Sequence, residues 1–519
     1  MGLIILGALL FTLAFPNVLV RFGLYPVAFI AIAPVAVAIQ RMRWWMTPLY
    51  GALYGFLAYA LFNYWLFTFH PLAIFIVPVI YAAYFFVLFP LLWAAGRLFG
   101  RTAFLVQALV WLAYEYLRIR GFLGYAYGIM GYSLFPAPLL IQTADFGGVW
   151  SVSALVVLPS FFIAQVVRDT PGISLASLLG TLRKRMVEVG TYALLFAGAL
   201  IYGVVAPVDY SDSRTWNVAL VQQNVDPWVG GFGAYRESLD ILLRQSRLVV
   251  RDHTPDIVVW SETSFVPSID FHTRYRQDQE RYELVRELRE FLAEQTIPYV
   301  IGNSDGQLVR VPGGDLERRD YNAVLLFGPG GVLEQTYRKI HLVPFTEHFP
   351  YEEQLPWMHR MLVEANTNFW ETGQEWTVFE VDGIRFSTPI CFEDTFGYLS
   401  RGFVQRGAEV IVNLTNDLWS YSEPSAMQHM GMAVFRAVEN RRSVVRSTNG
   451  GMTTIIDPNG RLLDLYPPFK EGFLVGDVPV YTGGSTLYTA HGDWLAYLFT
   501  GSAPLLLLAG VLRRLRRRT

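Results

Sequence analysis

"PLAIFIVPVIYAAYFFVLFPLLWAAG", residues 71–96, runs for 26 residues without one charged side chain. A bilayer's hydrocarbon core is about 30 Å thick, and about 20 helical residues cross it. The run is long enough, so it reads as a membrane span. Seven further apolar runs share its character, at about 2–16, 22–40, 48–68, 103–118, 149–167, 190–207 and 491–512. Those at 2–16 and 103–118 are short enough to be buried soluble helices, yet seven of the eight crowd into the first 207 residues. The first resembles a signal-peptide core, but a second apolar run follows with no small-residue cleavage site between them. The expectation is an α-helical membrane bundle of about eight spans.

The whole composition carries the same message. The chain is 53% hydrophobic and 16% charged, against about 25% charged in an average soluble domain. A net charge of −2 excludes a broadly basic surface for nucleic acid. Lys and Arg collect in alternate loops: Arg41 and Arg43, Arg97 and Arg101, Arg168 with Arg183, Lys184 and Arg185, and the tail "RRLRRRT". The other loops hold Arg21, Arg118 and Arg120. Basic loops stay in the cytoplasm, so both termini are expected inside and the segment between the last two spans outside.

Three regions follow: a seven-span bundle over 1–208, a globular domain over 209–489, and an eighth span with a basic tail over 490–519. The loop at 121–148 is too apolar and aromatic for a solvated linker and is expected at the outer interface or partly within the bilayer. The globular region alternates β-rich runs with helical periodicity, the signature of an α/β sheet layered with helices. Strands are expected at 217–223, 256–260, 298–303, 322–328, 384–390, 409–415 and 444–449, with helices over 280–295 and 426–441. "FGPGGVLEQTY" and "IDPNGRLLDLY" place Pro and Gly between apolar runs, as hairpins do.

Charged residues cluster where these strands end. "VVWSETSF" (258–265) places Glu262 just past an apolar run, and "YRKIHLVPFTEHFPY" (337–351) carries Lys339 and Glu347. "PICFEDTF" (389–396) holds Cys391, the chain's only cysteine, and Glu393. Each alone is more often a solvated loop residue, or for the cysteine a packed hydrophobe. Spacing by itself does not bring them together. His341 shares a strand face with Lys339, so geometry leaves it open as a base for the thiol.

In this order the three segments resemble the Glu–Lys–Cys triad of the carbon–nitrogen hydrolase (nitrilase) superfamily. "VQQN", "YNAVLLFGPGG", "NLTNDLW" and "RAVENRRSVVRSTNGG" are further matches. The preceding spans, the following span and "PLLIQTADFGGVWSVS" (138–153) narrow the resemblance to the apolipoprotein N-acyltransferases. It implies an αββα sandwich and a reaction through a thioester. An acyl chain would leave a phosphatidylethanolamine-like phospholipid for the N-terminal amine of a diacylglyceryl-modified apolipoprotein. Cys391 would be the nucleophile, Glu262 the general base, and Lys339 with the Phe392 N–H the oxyanion hole. Glu393 would fix Lys339, and Glu347 would orient the base or the incoming amine. Trp228, Asn416 and Trp419 would wall the site. Phe392 stands where the family often has Tyr, and "SYS" follows Trp419 in place of an aromatic–glycine pair. Trp357 and Met361, in the mixed apolar stretch 344–364, are expected on a lid that meets lipid.

The implied location is the bacterial inner membrane, with the catalytic domain on the periplasmic side. No metal or cofactor is expected, because the eight histidines show no ligand spacing and "FGPGG" lacks a P-loop's Lys-Ser/Thr. The competing readings are a membrane-tethered amidase acting on a soluble substrate and a non-catalytic membrane scaffold.

Overall fold

The long charge-free run folds as one helix, Ile74–Leu98, in a computed structural model that describes every residue except 70–72, 173, 312–313, 365–366, 368 and 518–519. The first two residues of the quoted run therefore lie outside the described residues. The chain divides into two compact units. The first comprises Met1–Pro207, Ser422–Glu439 and Thr486–Thr519, and the second Val208–Tyr421 and Asn440–Ser485. They are not contiguous in sequence, unlike the unbroken regions expected above.

The first unit is helical. Four helices among the described residues are long and apolar enough to cross a membrane: Ile74–Leu98, Val149–Asp169, Met186–Val205 and Trp494–Arg516. Gly2–Ala14 and Tyr25–Arg41 are shorter apolar helices, and the runs at 48–68 and 103–118 fold as Thr47–Phe62 and Ala103–Leu117. Among the described residues, the eight runs thus yield four helices of spanning length. Asn17 ends the first: its amide donates to Phe15 O at 2.8 Å, and its Oδ1 accepts the Leu19 and Val20 N–H groups. Thr47–Phe62 packs closely on the long helix through small residues. A Cβ added to Gly51 or Gly55 would fall 2.2 Å from Phe85 O or 2.5 Å from Tyr81 O, as in the small-residue seams of membrane helix pairs.

Residues 121–148 are packed inside this unit, with Ala126, Ile129, Met130 and Leu134 fully buried. Irregular backbone in a bundle is tolerated where protein surrounds it. Helix Glu423–Asn440, expected as part of the globular domain, packs here up to residue 439. Gln428 donates to Pro16 O and accepts from Trp65 Nε1, while Glu439 accepts the Val149 N–H.

Among the described residues the second unit is a sandwich of twelve strands. In chain order they are β1 (Arg214–Gln222), β2 (Ile257–Trp260), β3 (Tyr299–Arg310), β4 (Leu316–Gly328), β5 (Val332–Arg338), β6 (Val378–Val381), β7 (Ile384–Ser387), β8 (Val410–Thr415), β9 (Ser443–Thr448), β10 (Thr454–Ile456), β11 (Leu462–Leu465) and β12 (Gly472–Val480). Two six-stranded sheets form, ordered β12-β1-β2-β3-β4-β5 and β11-β10-β9-β8-β7-β6. Each has three parallel strands at its centre, β1-β2-β3 and β9-β8-β7, with antiparallel strands outside them. Central parallel strands are buried on both faces and read as unbroken apolar runs; every residue of β2 and β8 is buried. Trp216, Val218, Val259 and Val324 of one sheet meet Phe386, Val410, Val412 and Val445 of the other in one core. Helices Phe232–Asp252 and Gln279–Ala293 cover the outer face of the first sheet through Leu239, Leu242, Leu284 and Leu288. The sheet topology therefore carries the nitrilase-like α/β architecture.

Candidate active site

In open α/β sheets, ligand sites form beyond the carboxyl ends of parallel strands. Glu262 lies two residues past β2, Cys391 four past β7 and Asn416 one past β8. Lys339 follows β5 directly, and its N–H continues the ladder by donating to Asn322 O at 2.8 Å. The turn bearing Glu262 lies flat on β3, because Gly302 faces it. A Cβ there would fall 2.2 Å from Ser261 O and 2.7 Å from Glu262 Cα.

Cys391 opens a 3₁₀ turn, Cys391–Thr395, at a left-handed φ of 48°. A non-glycine residue pays roughly 1–2 kcal/mol for that conformation, and such strain persists where the surroundings over-determine it. Here Ile390 bridges to Leu414 just before the turn, and Asn413 Nδ2 donates to Pro389 O and Cys391 O at 3.1 and 3.3 Å. The strand end delivers the thiol to one place.

The Lys339 side chain is fully buried, and its ammonium donates to Glu347 at 2.9 Å and to Glu262 at 3.4 Å. Asn322 Nδ2 donates to both carboxylates, at 2.8 Å to Glu262 and 3.2 Å to Glu347. The second oxygen of Glu262 accepts the Asn416 N–H at 2.9 Å, and that of Glu347 accepts the Val343 N–H at 2.8 Å. Both carboxylates are therefore fixed at both oxygens.

Among the described contacts Glu393, expected to fix Lys339, makes no ion pair with the ammonium. It is fully buried, and its oxygens accept from Tyr337 Oη and from the N–H groups of Ile340, His341 and Ile390 at 2.7–2.9 Å. It ties the main chain around Lys339 to the main chain ahead of Cys391. Burial pushes its pKa up to about 7, opposed by those backbone donors and by the Lys339 charge.

At rest the balance of electrostatics at the thiol favours its neutral form. Burial raises the Cys391 pKa well above its ordinary value, and the negative charge of Glu262 raises it further. Lys339 and a hydrogen bond from Thr415 pull the other way, while Asp417 adds to the rise. The thiol is neutral until a base takes its proton. Burial also works against the Lys339 ammonium, but the charges of Glu347 and Glu262 outweigh it and keep the lysine charged. His341 points elsewhere: Nδ1 lies 2.8 Å from Tyr398 Oη and the ring 4.2 Å from that of Phe396.

The structure thus brings together Glu262, Lys339, Glu347 and Cys391, with Asn416 on Glu262 and Glu393 behind the turn. Phe392 is buried against Phe396, and Trp419 is half-buried in the 3₁₀ turn Leu418–Ser420. Trp228 lies on the surface, edge-on to Trp370 with ring centroids 6.2 Å apart. Trp357 and Met361 stand exposed on helix Pro356–Glu364. Sequence reasoning missed Asn322, Asn413 and Tyr337. Tyr337 had a usable signal, since it sits two residues before Lys339 and so shares its strand face. Among the described residues, no group of three His, Cys, Asp or Glu side chains is placed to hold a metal.

Residues 217–487 match the carbon–nitrogen hydrolase family, and residues 7–162 match the apolipoprotein N-acyltransferase N-terminal domain. Apolipoprotein N-acyltransferase 1 of Treponema denticola is 42% identical, over 96% of this chain and 94% of its own. The chain belongs to the apolipoprotein N-acyltransferase family. The protein of the same name from Treponema pallidum is 41% identical over 99% of this chain and 96% of its own. Among solved structures, an amidase from Nesterenkonia sp. AN1 aligns with a TM-score of 0.37 and 18% identity, covering 55% of this chain and 94% of that one. Membership of the apolipoprotein N-acyltransferases makes the protein a membrane acyltransferase with a carbon–nitrogen hydrolase domain.

Proposed function

We propose that the protein moves an acyl chain from a membrane phospholipid, through a thioester on Cys391, to the N-terminal amine of the diacylglyceryl-cysteine of apolipoproteins. The observation that carries this reading is the convergence of Glu262, Lys339 and the chain's single, strained cysteine. Glu262 takes the thiol proton as sulfur attacks the ester carbonyl. The oxyanion that forms lies against the Lys339 ammonium and the N–H of Phe392, and removing one such donor typically costs about 10²–10³ in rate. Collapse expels the lysophospholipid alkoxide, which recovers the proton from Glu262. The lipoprotein amine then attacks the thioester, Glu262 accepts its proton, and the thiol is restored with the amide.

Glu347 shares the ammonium with Glu262 and so keeps the lysine charged while the base changes protonation state. Asn416 orients the base through its N–H. Trp228 and Trp419 line the approach of the acyl chain, and Trp357 and Met361 meet the lipid surface. In this reading the shorter apolar helices also cross the bilayer, giving eight spans. The membrane is the inner membrane, with both termini cytoplasmic and the catalytic unit periplasmic.

The test is direct. Purified protein given phospholipid and no acceptor should gain one acyl mass, mapped by mass spectrometry to Cys391. Adding a diacylglyceryl peptide should discharge it as an amide. Cys391→Ala should show neither step, and an adduct on another residue or turnover in that variant overturns the assignment.

A further inference from the structure

Beneath the thiol lies a buried charge that neither half-reaction uses. Arg446 sits on β9, on the face opposite Val445, whose side chain joins the core between the sheets. Its side chain is fully buried and forms an ion pair with Asp394, itself fully buried, within the turn that Cys391 opens. A second ion pair, 3.5 Å long, joins Arg446 Nη2 to Asp417 Oδ2, two residues past β8. Asp417 is boxed in: a Cβ on Gly451 would fall 2.5 Å from its Oδ2. Its other oxygen accepts from Thr415 Oγ at 3.5 Å.

We propose that Arg446 is a positioning residue for the acyl-transfer site. It clamps the nucleophile turn to the loop after β8 through Asp394 and Asp417, and it supplies the positive charge that lets a thiolate form above them.

Thr415 makes the link chemical. Its hydroxyl has one proton, which can go to Asp417 or to the sulfur of Cys391. While Arg446 holds Asp417, that carboxylate's claim on the proton is weak, and the hydroxyl can turn to a developing thiolate. Without Arg446, Asp417 keeps the hydroxyl's hydrogen bond and its negative charge acts on sulfur without a counter-charge beside it. The charged groups acting on the thiol are then Glu262 after β2, Lys339 after β5 and Asp417 after β8. Glu347 is ion-paired with Lys339, and Glu393 accepts the Ile390 N–H just ahead of Cys391. Arg446 is set against Asp417 alone among the three that act on sulfur.

The inference rests on Cys391 as the nucleophile, but its test does not need acyl transfer. With one cysteine in the chain, the pH profile of iodoacetamide alkylation reports that thiol alone. Arg446→Gln should move the alkylation midpoint up by about one pH unit or more, slowing alkylation at neutral pH about tenfold. Adding Asp417→Asn to that variant should restore most of the loss, because one charge of each sign is then gone. Asp417→Asn alone should move the midpoint down, which keeps the proposal testable should Arg446→Gln not fold. A folded Arg446→Gln protein with the wild-type profile overturns the proposal, as does a double variant that is not restored or an Asp417→Asn profile that does not move. Loss of the acyl adduct with these alkylation shifts intact would instead count against the thioester reading.

Discussion

His341 is the residue a reader of thiol enzymes would pick as the base, since it follows Lys339 by two positions and neighbours the nucleophile turn. Its hydrogen bond to Tyr398 and its contact with Phe396 give it a different task. Burial first, and then the charge of Lys339, lowers its pKa to about 4. The unfolded chain takes up that proton near 6.5, so between about 6.5 and 4 the unfolded state holds more protons than the folded one. Stability therefore falls as pH drops through that window, by roughly 2–4 kcal/mol from this group. His341→Gln stays neutral and still offers Tyr398 a partner, so its melting temperature in detergent should decline less than wild type over the same range. It should also keep acyl transfer. Parallel melting curves would remove the assigned burial penalty, and lost transfer would return His341 to the list of bases. Glu262 and Cys391 were legible because each follows a strand whose apolar run is plain in the sequence, whereas Lys339, after the edge strand β5, was legible through the resemblance. Asn322 and Asn413 were not, because a polar side chain inside a strand reads as a solvated face until its partner, a carboxylate or a carbonyl distant in sequence, is in place.

Elements were legible in proportion to how fully their neighbours bury them. β2 and β8 are buried along their whole length and stood out as unbroken apolar runs. β5 is an edge strand with Val332, Leu333 and Glu334 exposed, and it merged with its turn. Helix Glu423–Asn440 showed its period but not its partner, since Arg436 and Glu439 look like solvent-facing charges. They are buried against each other at 2.8 Å, with Tyr132 donated to by Arg436 at 3.1 Å. Helix Pro356–Glu364 is the converse case, an element with no buried residue. Its Trp357, Met361 and Val363 are 56%, 48% and 49% exposed. Among the described contacts, the ring of His359 stacks between those of Phe349 and Phe369, and Leu362 O accepts the Thr367 N–H. An exposed apolar face on a weakly held helix suits the lipid interface. Replacing Trp357 and Met361 together with Asp should slow turnover of bilayer-embedded substrate. It should leave the melting temperature near wild type, because exposed side chains contribute little to folding. Unchanged kinetics on vesicles would retire the lipid-contact role.

At the scale of the whole molecule, sidedness turns on which arginines remain free to hold a loop in the cytoplasm. The loops assigned outside carried Arg21, Arg118 and Arg120 in the sequence, and each is accounted for in the first unit. Arg118 is 3% exposed, donates to Tyr125 O and Tyr127 O, and lies over the rings of Tyr59, Tyr81 and Tyr114. It is part of the packed interior and not a loop charge. Arg120 is bound to Asp493 and Arg21 to Glu423, both at 2.5 Å. The opposite set includes Arg41, Arg183 and Lys184, all exposed, and Arg513 and Arg514 near the end of helix Trp494–Arg516. The count of Lys and Arg near span ends sets orientation; burial takes Arg118 from one set and Arg185 from the other. A cysteine placed at Asp315, in a Cys391→Ala background so that it is the only thiol, should react on intact cells with an impermeant reagent. One placed at Thr519, which lies outside the described residues, should react only after the membrane is opened. The reverse pattern would put the catalytic unit in the cytoplasm and so separate it from an acceptor on the outer leaflet, whatever the chemistry at Cys391.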